Sequence, residues 1–126
     1  MVHFRGVTEG TEERHACTVR AVSTAAEIPY ADAHALLAAC GRRRGHKFNF
    51  RGFMSGRYKL GSYSVTAVCM PLVSPTLAQV VKDFPRGTFI VRKRGHVFTV
   101  RDGIVYDADP QGARTRIKNI WHLTKE

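Results

Sequence analysis

Long apolar runs are missing from this sequence. No stretch approaches the roughly 20 residues that a membrane-crossing helix requires. The start, Met1-Val2-His3-Phe4-Arg5-Gly6, has no apolar segment of signal-peptide length. The expectation is a protein of the cytoplasm with no membrane association. Acidic residues are also scarce: 10 Asp and Glu stand against 20 Lys and Arg, for a net charge of +10. That balance favours anionic partners such as nucleic acid or an acidic protein. Yet the cations are spread along the chain, clustering only at Arg42-Arg43-Arg44 and Arg92-Lys93-Arg94, and no zinc-finger, helix-turn-helix or RNA-recognition signature accompanies them. Many small basic proteins carry such a charge without any specific anionic partner. Cysteines number three, Cys17, Cys40 and Cys69. An odd count at wide spacing excludes a disulfide framework and a CxxC metal half-site, so reduced thiols, no metal and no cofactor are expected. At least two of the three are expected to fill space as small buried hydrophobes.

What is present supports a packed globule. Of 126 residues, 44% are apolar and 24% charged, enough for one core and too few residues for two, so 1–126 reads as a single domain. Residues 1–16 are polar and turn-rich. From Cys17, Val19, Val22 and Ala26 recur at helical spacing, with Ala21 and Ala25 beside them, and the helix ends before Ile28-Pro29. A second helix runs over Ala31 to Cys40, with Pro29 and Tyr30 leading into it, Gly41 at its C-terminal cap and Arg42 to Arg44 favouring the negative end of its dipole. Glycines at 45, 52, 56 and 61 among basic and aromatic residues suggest a long, semi-ordered loop over 42–64. Tyr63 to Met70 fits a short strand or a helix equally. Pro75 opens a helix over Thr76 to Phe84, stopped by Pro85. The last third is β-rich: Gly87 to Arg92, then His96 to Arg101, a hairpin signal at Asp102-Gly103, Ile104 to Asp107, and a strand near Thr115 to Leu123. Helices followed by an antiparallel meander give an α+β fold, with N-terminal helices packed on a C-terminal antiparallel sheet.

Three residues in this layout carry chemistry. Cys17 stands where coil becomes helix, so its thiolate faces unpaired backbone N–H groups and the positive end of the dipole, which lowers a thiol pKa. His96 begins a strand after Gly95. If Val100 pairs near Ile104 or Val105, Asp107 comes close to the His96 end of the ladder, where a carboxylate fixes the imidazole tautomer and stabilises the imidazolium. Asp109, on the same strand face by period two, is the reserve acid, and Asp102 reads as a turn residue. Each taken alone has an ordinary packing explanation, and so do His15 as a solvated loop residue and His34, Tyr30 and Trp121 as packing groups.

These residues also carry a resemblance. Cys17-Thr18-Val19-Arg20-Ala21 and Ile28-Pro29-Tyr30-Ala31-Asp32-Ala33-His34 resemble the N-terminal half of small phage-encoded proteins of papain-like type. So do Thr76-Leu77-Ala78-Gln79, Phe84-Pro85-Arg86-Gly87-Thr88-Phe89, Gly95-His96-Val97 and Asp102 to Asp107. The order of helix-start Cys, strand His and Asp after a hairpin is similar to the bacteriocin leader-processing peptidases. The resemblance implies a papain-like fold and a cysteine hydrolase acting on an amide or isopeptide bond of a peptide or protein substrate through a thioester. Cys17 would be the nucleophile, His96 the base and Asp107 the orienting acid, in the host-cell cytoplasm if the protein is phage-encoded. Where those peptidases have a Gln or Asn before the Cys, this chain reads Gly10 to Ala16, leaving Thr11 or a backbone N–H such as that of Cys17 to bind the oxyanion. The alternative is the same fold without effective catalysis, used as a basic binding module for nucleic acid or an acidic host protein.

Overall fold

The computed structural model describes residues 2–125. The strands are β1 (His3–Gly6), β2 (Lys59–Leu60), β3 (Tyr63–Ala67), β4 (Thr88–Lys93), β5 (His96–Arg101), β6 (Ile104–Asp107) and β7 (Asn119–Lys125). The helices are α1 (Cys17–Ala26), α2 (Tyr30–Ala39), α3 (Phe50–Met54) and α4 (Leu77–Asp83). All seven strands form one mixed sheet in the order β1-β6-β5-β4-β7-β3-β2. The architecture is α+β.

The sheet has an apolar layer on each face, which alternation along the strands makes possible. Ile90, Val97, Trp121 and Leu123 join the core formed with α1, α2 and α3, while Phe89, Val91, Phe98, Val100 and Ile120 join the core formed with α4. Val19, Val22 and Ala25 of α1 are wholly buried, as the helical spacing of apolar residues requires. Alanines at 21, 25 and 26 let the helix approach the strands closely. α4 is set by a capping box: Gln79 N–H donates to the Thr76 hydroxyl at 3.2 Å and Thr76 N–H donates to the Gln79 side chain at 2.9 Å. The hairpin signal at Asp102-Gly103 is realised with φ of 50° and 77°, the doubly left-handed turn whose twist suits two adjoining strands.

Several expectations need correction. The segment 42–64 is an ordered connection holding α3 and β2, and β3 begins at Tyr63. Asn49 accepts the Gly52 N–H at 3.0 Å to start α3, and Phe50 and Phe53 are buried, with Phe50 edge-on to Trp121 at 5.5 Å. Gly52 lies within α3, while Gly45, Gly56 and Gly61 take positive φ between the pieces. The C-terminal strands are a meander only from β4 to β6: β7 inserts between β4 and β3, so the sheet is wider than sequential pairing suggests. The polar N-terminus contributes β1, paired parallel to β6. All four of its residues are exposed, so no burial pattern marks it. Cys40 and Cys69 are exposed and fill no core. Arg42 does not serve the end of α2; its guanidinium is buried against Glu13.

Candidate active site

The chain reaches Cys17 through a left-handed residue, His15 at φ 56°, followed by Ala16 as N-cap. No side chain caps α1, so its first N–H groups stay open to an anion beside Cys17. The approach is locked from below. Buried Arg42 donates to Glu13 Oε2 at 2.7 Å and to the His15 carbonyl at 3.1 Å. His34 Nε2 lies 2.9 Å from Glu13 Oε1. Burial works against the Glu13 charge, but the bonds to Arg42 and His34 outweigh it and hold the carboxyl below its ordinary 4.5.

α1 and β5 start at the same end and run alongside each other. The Thr99 hydroxyl donates to the Ala21 carbonyl at 3.0 Å, and Arg101 donates to the Thr24 carbonyl at 2.6 Å. That alignment sets Cys17 level with His96 and Val97. The β5–β6 register pairs Val100 with Val105 and Thr99 with Tyr106. One step further, Asp107 comes level with Phe98, two residues from His96 on the same side of β5.

The three predicted residues converge. His96 Nε2 lies 2.6 Å from Asp107 Oδ2, which leaves Nδ1 to serve the Cys17 thiol. For Cys17, burial favours the neutral thiol, but the hydrogen bond to His96, the His96 charge, the Val97 backbone N–H and the Arg20 charge together bring its pKa below the ordinary 9.0. For His96, burial disfavours the cation. Hydrogen bonds to Asp107 and Cys17, and the negative charge of each, overcome this and raise its pKa from 6.5 to about 9. Each group favours the charged form of the other, so both shifts act toward a thiolate beside an imidazolium.

Asp107 is held by more than His96, and these supports escaped the sequence reading. Gln111 Nε2 donates to Oδ2 at 2.9 Å, and Ala108 N–H donates to Oδ1 at 2.7 Å. Arg20, buried on α1, places NH1 3.6 Å from Oδ1 and donates through Nε to the Glu9 carbonyl at 3.0 Å. Arg20 falls three residues after Cys17, on the same helical face; that spacing is the one signal the sequence offered. Gln111 lies in irregular chain beyond β6 and offered none.

Thr11 does not join the site as an oxyanion donor. Its hydroxyl proton is given to the Thr8 carbonyl at 2.9 Å. Of the two candidates, the α1 backbone at Cys17 keeps its geometry for that task. Thr18 adds a buried hydroxyl with no hydrogen-bond partner among the described residues, and it lines the cleft beside Cys17. Asp109 is exposed past the end of β6 and does not take the Asp107 place.

Clefts open on both sides of the Cys17–His96 pair. One, of about 550 Å³, runs past Thr18, Phe48, Phe50 and Arg92; the other, of about 680 Å³, runs past Thr11, Glu13, Arg20 and Asp109. His15, Cys17, Gly95 and His96 line both, so an extended chain laid across them presents its middle to the sulfur. Among the described residues there is no cluster of three His, Cys, Asp or Glu able to hold a metal, and no helix is long and apolar enough to cross a membrane. Comparison with protein-family models, with curated proteins and with solved structures finds no match.

Proposed function

We propose that the protein is a cysteine-dependent hydrolase of papain-like type that cleaves an amide or isopeptide bond of a peptide or protein. The observation that carries this reading is the convergence of Cys17, His96 and Asp107 at the start of an uncapped helix, with the His96 pKa raised to about 9 and that of Cys17 lowered. A structural cysteine needs neither an ionised imidazole nor a carboxylate behind it.

The Cys17 thiolate attacks the carbonyl carbon, and the carbonyl oxygen gains charge beside the first N–H groups of α1. The imidazolium gives its proton to the amine nitrogen as the C–N bond breaks, and a thioester remains on Cys17. Neutral His96 then takes a proton from water, which attacks the thioester; the acid leaves and the thiolate–imidazolium pair returns. Asp107 keeps Nε2 protonated throughout and stabilises the imidazolium. Gln111, Ala108 and Arg20 keep the carboxylate in place.

The test is the rate at which each cysteine reacts with iodoacetamide across about pH 5 to 9, read by peptide mass spectrometry in wild type and in His96→Ala. Cys17 is expected to react well below the pH at which Cys69 does, and to lose that advantage in the variant. Incubation with a peptide library should then give cleavage that Cys17→Ala abolishes. If Cys17 titrates like Cys69, or is inert in both proteins, the hydrolase reading fails.

A further inference from the structure

The two sides of the site differ in charge. The cleft past Glu13 and Asp109 is mixed, with Arg20 as its cation. The cleft past Phe48 contains Lys47 and Arg92 and no carboxylate among the described residues. Arg92 also forms a wall of an adjoining recess of about 660 Å³, whose other walls are Arg51, Arg94, Lys118 and Asn119. One side of the scissile position therefore leads past a single shared arginine into a chamber of four cations.

Those cations come from three places in the fold. Arg51 rides on α3, Arg92 lies near the end of β4, Arg94 sits in the β4–β5 turn just before His96, and Lys118 precedes β7. Arg92 is braced: it donates to Asn119 Oδ1 at 2.8 Å, and its carbonyl accepts the Lys118 N–H at 2.7 Å. Among the described residues none of the four is in an ion pair. Elsewhere Asp107, Glu13 and Glu27 pair with Arg20, Arg42, Arg44 and Arg101. Like charges gathered in a recess without a counter-charge repel one another, and an anion entering it relieves that repulsion while gaining up to four partners.

We propose that this recess is an anion subsite of the active site. The substrate carries a carboxylate or a phosphate on the Arg92 side of the bond that is cut, held among Arg51, Arg92, Arg94 and Lys118. The inference rests on the hydrolase reading and adds the substrate class to it. The unbalanced charge of +10 then has a local purpose at one end of the cleft.

Four bromoacetyl amino-acid amides, of Asp, phosphoserine, Ala and Lys, test it. In each the Cys17 sulfur forms a thioether bond to the methylene carbon as bromide leaves, and the side chain reports the charge preference. Rates at Cys17 are divided by rates at Cys69 in the same sample, which removes the intrinsic reactivity of each probe. At about 20 mM salt the Asp probe should outpace the Lys probe by about tenfold, with Ala between, and the ratio should fall toward one near 0.5 M salt. Arg94→Glu combined with Lys118→Glu, both exposed positions, should abolish the preference, each probe rate being divided by the iodoacetamide rate of Cys17 in the same variant so that a general change in thiol reactivity cancels. A phosphoserine probe faster than the Asp probe assigns the subsite to phosphate, a slower one to carboxylate. Equal rates for Asp, Ala and Lys at a Cys17 that still outreacts Cys69 toward iodoacetamide would overturn the subsite alone. So would a preference that survives the double substitution, which would trace to the His96 charge. A Cys17 no faster than Cys69 toward iodoacetamide overturns the parent reading and the subsite with it.

Discussion

Replacing Asp107 by Asn isolates the role of charge behind His96. The side chain is buried, and its two oxygens face different donors: His96 Nε2 and Gln111 Nε2 on Oδ2, Ala108 N–H and the Arg20 guanidinium on Oδ1. An Asn amide can turn its oxygen to only one of these pairs and must point N–H groups at the other. That leaves a buried donor facing donors, at a cost of about 1–3 kcal/mol, and strips the counter-charge from buried Arg20. The effect on the site follows from His96. Its rise from 6.5 to about 9 corresponds to about 3 kcal/mol favouring the imidazolium. Asp107 precedes Cys17 among the raising causes, both as hydrogen-bond partner and as charge, so it is the leading cause of the rise. With solvent screening at a ring one quarter exposed, the loss is on the order of 1 kcal/mol, up to roughly a tenfold change in the population of the ion pair. Asp107→Asn should therefore cut iodoacetamide alkylation of Cys17 at about pH 7 by up to about tenfold and move its acid edge upward, with Cys69 unchanged as internal standard. Far-UV circular dichroism confirms folding. A folded Asp107→Asn protein whose Cys17 reacts at the wild-type rate would refute the coupling.

Other consequences follow from the same geometry. His96→Ala should bring Cys17 back to the reactivity of an ordinary thiol, a larger loss than Asp107→Asn, measured by the same alkylation profile. Peptide cleavage and alkylation should diverge at high pH. Cleavage needs the imidazolium proton, so its rate should fall through about 9, while alkylation needs only the thiolate and should stay high; pH–rate profiles of both reactions on one sample decide this. The contribution of His96 to stability has the matching sign: a raised folded pKa gives stability fully present below 6.5 and lost as pH rises through about 9. Glu13→Gln should destabilise by about 3 kcal/mol in urea melts, because it leaves the buried Arg42 guanidinium without its carboxylate. Since the Glu13 pKa is lowered in the fold, its contribution is present above the ordinary 4.5 and lost as pH falls through the folded value, so the variant's melting point should depend less on pH there than the wild type's. Gly10→Ala should destabilise by about 1–3 kcal/mol, since Gly10 has φ of 75° and an added Cβ would lie 2.3 Å from the Tyr30 hydroxyl; thermal melts check it.

Legibility in the sequence followed how local each signal was. The start of α1 at Cys17 and the turn at Asp102-Gly103 are written within a few residues, and both appear in the structure where spacing placed them; the helix expected after Pro75 is there too, but it starts at Leu77 behind a Thr76 cap, with Pro75 outside it. From the turn, strand register carried the reasoning to Asp107 beside His96, because a two-residue hairpin fixes pairing along its whole ladder. What stayed hidden depends on distant partners. β1 is exposed throughout and exists through pairing with β6, 101 residues later in the Cα register of His3 with Ile104. α3 has only five residues, too few for a periodic pattern, and is fixed by packing of Phe50 on Trp121. Arg42 looked like a charge for a helix end, and only the folded chain brings Glu13 to it.

The placement of the site also explains why it tolerates a buried polar cluster. Asp107 is almost wholly buried, and a lone carboxylate there would be expensive. It sits where the β5–β6 ladder ends, so the adjoining backbone is not consumed by the sheet and Ala108 N–H turns back to Oδ1. The same ending leaves the Val97 N–H for the Cys17 sulfur. Arg20 and Cys17 share one face of α1, so the helix that delivers the thiol also delivers the cation that steadies the Asp107 carboxylate. The frayed end of a hairpin meeting the uncapped start of a helix thus supplies donors to both anions, Asp107 and the Cys17 thiolate, with His96 between them. Shifting either element would cost both anions their partners. Stability and the ionisation of Cys17 are therefore coupled in this fold, and substitutions that slide α1 along β5, at Thr99 or Arg101, should raise the Cys17 pKa without touching Cys17, His96 or Asp107. Thr99→Val, which deletes the 3.0 Å bond to the Ala21 carbonyl while keeping the volume, should lower stability by about 1 kcal/mol and slow Cys17 alkylation at neutral pH. Loss of stability with an unaltered alkylation rate would show that α1 holds its register on β5 without that bond.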